Sequence, residues 1–215
     1  RSKVSVPNNY HRPYEAFENI NNICNKFSFI NCYKYQNIPY VILKKNDINE
    51  YDFFISLEHA REIITVELSL ELLQYYSNSL NLKRNLIIIP VNNVWGYNEI
   101  FKTGETCIRK NENGVDLNRN FPEKNWGSAP KFSHYYPKYG EEYQGIKPIS
   151  ENGSKIVDFI LKKYKINTFI NIHSGEFSVY SPYDHKSLGR VDSKYNDKYK
   201  RIKKMCPKCM VGSAA

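Results

Sequence analysis

Residues 51–62 read YDFFISLEHARE, an apolar and aromatic run that gives way at once to a polar segment. The run over 51–57 is short and rich in aromatic residues, which predicts a buried strand. Apolar residues then recur at helical spacing as far as Tyr76, so we expect the polar segment to lead directly into a long helix. A buried strand followed by a helix is typical of an α/β domain.

Further strands and helices are predicted on both sides of this unit. They are a helix that starts at Pro13, a hairpin around 37–39, a buried strand over 86–90, a helix over 150–164 and a buried strand over 168–172. Residues 95–150 show little periodicity, and so long an irregular stretch in a compact domain is usually functional. No repeat or linker interrupts the sequence, so we expect residues 1–215 to form a single α/β domain.

The composition excludes some classes of protein. Hydrophobic residues make up 41% of the 215, enough to fill a core, and no apolar run approaches the length of a transmembrane segment. The net charge is +9, and much of the excess falls in 186–208, where lysines alternate with Tyr, Asn and Asp. We interpret this as a solvated basic surface and expect no nucleic-acid partner, although such a surface also suits acidic polypeptide C-termini.

The first residue and the cysteines leave the compartment and the oligomeric state open. The chain begins at Arg1 with neither an initiator Met nor a charged-then-apolar leader, so we expect a processed or internal N-terminus. Five cysteines leave at least one thiol unpaired if the others form disulfides. Cys206 and Cys209 have the spacing of a zinc ribbon or a redox pair, but no second pair exists, so two thiols or a local disulfide are expected.

Two predicted strands lead into a histidine, His59 after the first and His173 after the last. Binding groups in α/β sheets collect outside the carboxyl ends of strands. Glu62 follows His59 by three residues, so both side chains point the same way if the helix has begun there. Two imidazoles and a carboxylate suit Zn²⁺ and leave a fourth position for water. Each histidine alone also fits a capping or satisfied buried role.

Basic and amide side chains stand between the two histidines. Arg119 and the neighbouring Asn118 have the donors to bind an anionic group such as a peptide C-terminus, because a guanidinium binds a carboxylate through two parallel bonds. Arg109 has the charge to stabilise an oxyanion beside a metal. The alternative is that these are surface arginines paired with Glu112 or Asp116.

Three segments, taken in order, resemble the zinc metallocarboxypeptidases of the carboxypeptidase A family, family M14. They are HARE at 59–62, VDLNRNF at 115–121 and NIHS at 171–174. The tail VGSAA at 211–215 also resembles the strand that precedes the later active-site segments of that family. The resemblance runs from the first helix to the end of the chain. It implies a mixed, eight-stranded sheet sandwiched between helices, incomplete here at the C-terminus.

The resemblance also implies roles for individual residues. The positions that match the family's ligands to a single zinc ion are His59, Glu62 and His173. Arg109 matches the arginine that polarises the scissile carbonyl, although Ile108 stands where the family usually has an aromatic residue. Asn118 and Arg119 match the pair that holds the substrate's terminal carboxylate, which makes such an enzyme an exopeptidase.

The family's general-base glutamate and its substrate-covering tyrosine lie beyond the segment 211–215, where this sequence ends. We therefore expect this chain to be a fragment of a zinc carboxypeptidase that removes single amino acids from peptide or protein C-termini. The alternative is a catalytically inactive, zinc-containing protein that binds peptide C-termini. The preferred C-terminal residue, the physiological substrate and any propeptide stay open.

Overall fold

The computed structural model describes residues 6–79, 82–122, 140–181 and 193–213. They fall into two compact units, one within residues 1–174 and the other within 175–215. The first unit contains α1 (Pro13–Lys26), β1 (Ile30–Tyr35), β2 (Ile38–Leu43), β3 (Tyr51–Ser56), α2 (Ile64–Asn78), β4 (Asn85–Ile89), α3 (Val94–Thr103), α4 (Asn152–Lys163) and β5 (Ile166–Ile172). The second contains β6 (Ser178–Ser181), α5 (Asn196–Met205) and β7 (Met210–Ser213). A single domain over 1–215 stays a prediction.

The first unit is built on a five-stranded sheet in the order β1-β2-β4-β3-β5. The hairpin β1–β2 and the pair β2–β4 are antiparallel, whereas β3 is parallel to both β4 and β5. The sheet is therefore mixed, as the resemblance to the zinc metallocarboxypeptidases implied. Because Ile55 of β3 is paired with Ile89 of β4 and with Asn171 of β5, the carboxyl ends of these three strands meet at one edge.

Helices cover both faces of this sheet. Successive side chains along a strand point to opposite faces, and here the side chains on both faces are apolar. Leu43 and Ile88 pack with α1, α2 and α3 in one core cluster. Ile42 and Ile87, one residue earlier on the same strands, pack with α4 in the other cluster. The result is the three-layered α/β/α arrangement that the resemblance implied.

The long helix begins directly after the polar segment, as the sequence predicted. α2 starts at Ile64, so Glu62 lies in a turn between the strand and the helix. Leu57 has a φ of +55°, which interrupts the regular backbone immediately after β3. Thr65 closes the turn, since its hydroxyl accepts from Leu57 N at 3.1 Å and donates to Glu62 O at 2.8 Å.

The prediction of an irregular stretch over 95–150 is wrong at its start, where α3 spans Val94–Thr103. Caps mark this short helix better than periodicity does. The Asn93 side chain accepts from Gly96 N at 2.9 Å, and Gly104 ends the helix in the left-handed conformation. Gly96 is also required for packing, because a Cβ there would lie 2.4 Å from Cβ of Ala60.

The second unit pairs β6 with β7 in parallel, with Val179 opposite Val211. The Tyr199 hydroxyl on α5 donates to Gly212 O at 2.7 Å. A disulfide joins Cys206 to Cys209, which is one of the two alternatives that the sequence left open.

In the first unit a second disulfide joins Cys24 of α1 to Cys32 of β1. Cys107 is a free, exposed thiol. None of the helices that the structure describes is long and apolar enough to cross a membrane.

Candidate metal centre

The edge where β3, β4 and β5 end carries the candidate site. His59 and Glu62 lie on the turn after β3, and His173 directly follows β5. A third segment is attached to this turn, because Ala60 N donates to Arg109 O at 3.2 Å. Asn93 ties the same two segments together, as its side-chain amide lies within hydrogen-bonding distance of the carbonyls of Glu58 and Lys110.

The structure brings the three predicted ligands together. The distance from His59 Nδ1 to Glu62 Oε1 is 2.8 Å, and from His173 Nδ1 to Glu62 Oε2 it is 3.0 Å. The two imidazole rings have their centroids 4.8 Å apart. One ligand atom from each residue lies within 4.8 Å of the others. His59 and Glu62 are buried, while the side chain of His173 is 30% exposed, which leaves one open side.

These donors fit a zinc ion. Ligand atoms on a tetrahedral zinc are about 3.4 Å apart, as follows from bonds of roughly 2.1 Å. The distances from the Glu62 oxygens to the two imidazoles, 2.8 and 3.0 Å, are close to that value. Burial alone would raise the pKa of Glu62, but the hydrogen bonds from His173 and His59 hold it at about 2. Glu62 is therefore anionic at neutral pH, as a ligand must be. Three protein ligands are typical of catalytic zinc sites.

Asp116 is a site residue that the sequence analysis missed, having considered it only as a partner for a surface arginine. It is fully buried and accepts from His59 Nε2 at 3.1 Å. Arg109 donates to its other oxygen from Nε at 2.9 Å and from Nη2 at 2.7 Å. Burial opposes ionisation of Asp116, yet His59 and Arg109 keep its pKa lowered. Asp116 thus fixes the ring whose Nδ1 faces Glu62, a known function of outer carboxylates at metal sites.

Burial on its own would lower the pKa of His59, but the bonds to Asp116 and Glu62 outweigh it and raise the pKa. His59 is therefore held between two buried carboxylates, one at each ring nitrogen. The only indication of the outer carboxylate in the sequence was its place two residues before Asn118, inside the VDLNRNF segment.

Glu58 is a second buried carboxylate that the sequence analysis did not single out. Its side chain is fully buried, and Oε2 accepts from Asn171 Nδ2 at 2.6 Å and lies 3.8 Å from His173 Nε2. Oε1 has no hydrogen-bond partner within the part of the chain that the structure describes. Burial raises the pKa of Glu58. Its signal in the sequence was a charged residue directly after an apolar strand.

Two of the three predicted substrate-side residues, Arg109 and Asn118, lie against the histidines. Arg109 Nη1 is 3.4 Å from His59 Nδ1, and Asn118 Nδ2 is 3.4 Å from His173 Nε2. Arg119 shares the 3₁₀ turn Leu117–Arg119 with Asn118, and its Nη2 donates to Glu142 Oε1 at 2.8 Å. Arg109 does pair with Asp116, as the alternative interpretation proposed. The pair is buried, however, and is not a surface contact.

Comparison with known proteins identifies relatives for this chain. Carboxypeptidase B2 from Bos taurus is 33% identical over 160 residues, which cover 62% of this chain and 37% of the relative. The Homo sapiens protein of that name is 32% identical over 136 residues, 55% of this chain and 31% of the relative. The chain therefore spans about a third of the length of the curated relatives that it matches.

Solved structures share the fold. The carboxypeptidase A from Helicoverpa armigera superposes with a TM-score of 0.80 at 21% identity, covering 95% of this chain and 57% of that one. Bovine thrombin-activatable fibrinolysis inhibitor, in complex with tick carboxypeptidase inhibitor, superposes with a TM-score of 0.76 at 24% identity, covering 95% and 76%. The sequence model of the zinc carboxypeptidase family matches residues 19–209, nearly the whole chain. This chain therefore belongs to the zinc carboxypeptidase family.

Proposed function

We propose that the protein carrying this chain is a zinc-dependent metallocarboxypeptidase that removes single amino acids from peptide or protein C-termini. The observation that supports this most is the convergence of His59, Glu62 and His173 at one open edge of the sheet, with Asn118 3.4 Å from His173. Donors for a metal and donors for a carboxylate thus stand side by side. A zinc-dependent carboxypeptidase needs this combination.

Each residue has a separate task in this proposal. His59, Glu62 and His173 hold one zinc ion, and Asp116 keeps His59 in the required orientation. When bound, zinc supplies Lewis acidity that polarises the scissile carbonyl and acidifies water.

The remaining residues act on the substrate. Asn118 and Arg119 bind its terminal carboxylate, which sets the bond to be cleaved one residue from the C-terminus. Arg109 uses Nε and Nη2 to bind Asp116. Its remaining nitrogen, Nη1, points toward Nδ1 of His59. From there it stabilises the negative charge that develops on the carbonyl oxygen.

A protein that binds C-termini without cleaving them is the second candidate, and one observation favours it. In the described part of the chain, the carboxylates at the centre are Glu58, Glu62 and Asp116, and each is buried and hydrogen-bonded to a histidine or an amide. None of these three is placed to take a proton from water. Cleavage therefore depends on a general base contributed from elsewhere in the protein.

The test is zinc stoichiometry followed by C-terminal cleavage. We expect one zinc per chain in the full-length protein, and loss of zinc in His173→Ala. Arg119→Gln is expected to retain zinc but to bind substrate more weakly. Mass spectrometry of a mixed peptide pool will then separate the candidates, because a carboxypeptidase shortens peptides by single residues and a binder retains them intact. Stoichiometric zinc in His173→Ala would contradict the ligand assignment.

A further inference from the structure

Glu142 places a carboxylate against Arg119. Arg119 Nη2 donates to Glu142 Oε1 at 2.8 Å, and the Glu142 side chain is 46% exposed against 21% for Arg119. The pair is therefore partly open to solvent. A glutamate carboxylate is chemically the same group as the C-terminus of a peptide, and both bind guanidinium in the same way. Glu142 thus occupies part of the donor set that a substrate carboxylate requires.

The segment that carries Glu142 is fixed to the turn that carries Arg119. Two hydrogen bonds attach it, from Asp116 N to Tyr143 O at 2.8 Å and from Asn120 Nδ2 to Gln144 O at 2.8 Å. Gly145 then turns the chain at a φ of +90°, where a Cβ would lie 2.9 Å from Asn120 Nδ2. The backbone beside Glu142 is therefore held in place, and a rotation of the Glu142 side chain is enough to break its bond to Arg119 Nη2.

The neighbouring residue, Glu141, has a different partner. Its Oε2 accepts from Arg61 Nη1 at 2.8 Å, and its side chain is 64% exposed. Two adjacent glutamates therefore pair with two different arginines. This makes Glu141 a matched control for Glu142, with the same side chain and an ion pair of the same length.

We propose that Glu142 is a specificity-determining residue that competes with the α-carboxylate of the substrate for Arg119. The inference rests on the proposed function, in which Arg119 binds that carboxylate. A ligand with a free carboxylate must displace Glu142, whereas a ligand with a C-terminal amide has no charge with which to compete. Glu142 therefore reduces the preference of the site for free over blocked C-termini. The exchange is reversible, and no covalent bond forms or breaks.

The test measures binding to the zinc-loaded, full-length protein by titration calorimetry. The probes are N-acetyl amino acids with apolar, basic and acidic side chains, each as the free acid and as the primary amide. We expect Glu142→Gln to lower the Kd of the acids about two- to fivefold, the range expected for loss of one partly exposed ion pair, and to leave the amides unchanged. Glu141→Gln is expected to bind both sets as the wild type does.

Two further variants separate the possible outcomes. Glu142→Ala removes the charge and the shape together, and it is expected to tighten acid binding as Glu142→Gln does. Acid binding that is unchanged or weaker in both Glu142 variants, while Arg119→Gln loses the preference for acids over amides, would overturn the role of Glu142 and leave the proposed function intact. Equal binding of acids and amides by the wild type and Arg119→Gln would overturn both proposals.

Discussion

His59 has one carboxylate at each ring nitrogen, Glu62 at Nδ1 and Asp116 at Nε2. An imidazole can bind a metal through either nitrogen, and a carboxylate at one of them reserves the other for the metal. Because Asp116 also accepts two bonds from Arg109, its carboxylate has little freedom to turn. The orientation of the ligand is therefore determined before any ion arrives.

Asp116→Asn tests this orientation. Asparagine keeps the shape, but its amide is neutral and can direct an NH₂ group toward either His59 or Arg109, both of which now donate to Asp116. We expect zinc affinity to fall about 10- to 100-fold, measured by competition with a chelator of known affinity. Asp158→Asn, which alters an exposed pair with Lys162, is the control and should bind zinc as the wild type does. Equal affinity in both variants would contradict the role of Asp116.

The sequence was sufficient to predict which residues converge, but not which buried carboxylates hold them in place. His59, Glu62 and His173 were recognisable because polar ligands follow apolar strands at the same edge of a sheet. Asp116 and Glu58 were not, because a charged residue is normally solvated and only tertiary packing reveals that these two are fully buried. The pairing of Arg119 with Glu142 joins residues that no sequence pattern connects.

At the scale of the elements, α3 fixes the turn that carries His59. Gly96 on α3 approaches Ala60, next to that histidine, so closely that a Cβ at Gly96 would be 2.4 Å from the Ala60 Cβ and 2.9 Å from Asn93 Oδ1. A methyl group cannot fit at that distance unless the backbone moves. The position of the ligand turn therefore depends on a glycine outside the metal centre.

Gly96→Ala is expected to lower the free energy of unfolding by about 1–3 kcal/mol, the usual range for overpacking a filled core. Urea denaturation of the wild type and the variant measures the loss. Ala60→Gly removes the nearer of the two contacts, so combining it with Gly96→Ala should recover part of the stability. Strictly additive losses in the double variant would show that the two positions do not press against each other.

Glu151 immediately precedes α4 and joins that helix to the loop that leads toward Asp116. Its carboxylate accepts from Asn111 Nδ2 and Asn113 Nδ2, both at 2.7 Å, and from Ser150 Oγ at 2.6 Å. Burial opposes ionisation, but these three bonds outweigh it and lower the pKa of Glu151.

A lowered folded-state pKa means that the stabilisation by Glu151 is complete above the pKa of the unfolded chain, about 4.3 for glutamate. It is lost as the pH falls through the lower folded value. We expect Glu151→Gln to be less stable than the wild type at neutral pH, and the difference to shrink below about pH 4. Urea denaturation from pH 3 to pH 7 measures it. A difference that does not change with pH would assign the effect to shape and not to charge.

The elements themselves follow the sequence where periodicity or apolar runs are strong. The strands over 51–57 and 86–90 and the helix after Pro13 were predictable, since each is long or apolar enough to show its period. α3 was not, because its 10 residues are defined by the cap at Asn93 and by contact with Ala60. The backbone conformation of the turn before α2 was not predictable either, because a φ of +55° at Leu57 is unusual for a leucine.

At the scale of the whole molecule, the metal centre joins distant parts of the chain. Glu62 and His173 are separated by 111 positions, and in the fold they meet where β3 and β5 end. An ion held by His59, Glu62 and His173 therefore connects the two strands. Unfolding separates these three residues, so we expect the folded chain to bind zinc more tightly than the unfolded chain and zinc to stabilise the fold.

We expect zinc removal by a chelator to lower the Tm of the full-length protein, and added zinc to restore it. At a free zinc concentration 100 times the Kd, the gain is about 2.7 kcal/mol. The same treatment should leave the Tm of His173→Ala unchanged, because a variant that has lost a ligand gains nothing from the ion. Glu176→Ala, an exposed carboxylate in the second unit, is the control and should respond as the wild type does. A Tm for His173→Ala that rises with zinc as much as the wild type would mean that the stabilising ion binds at a different place.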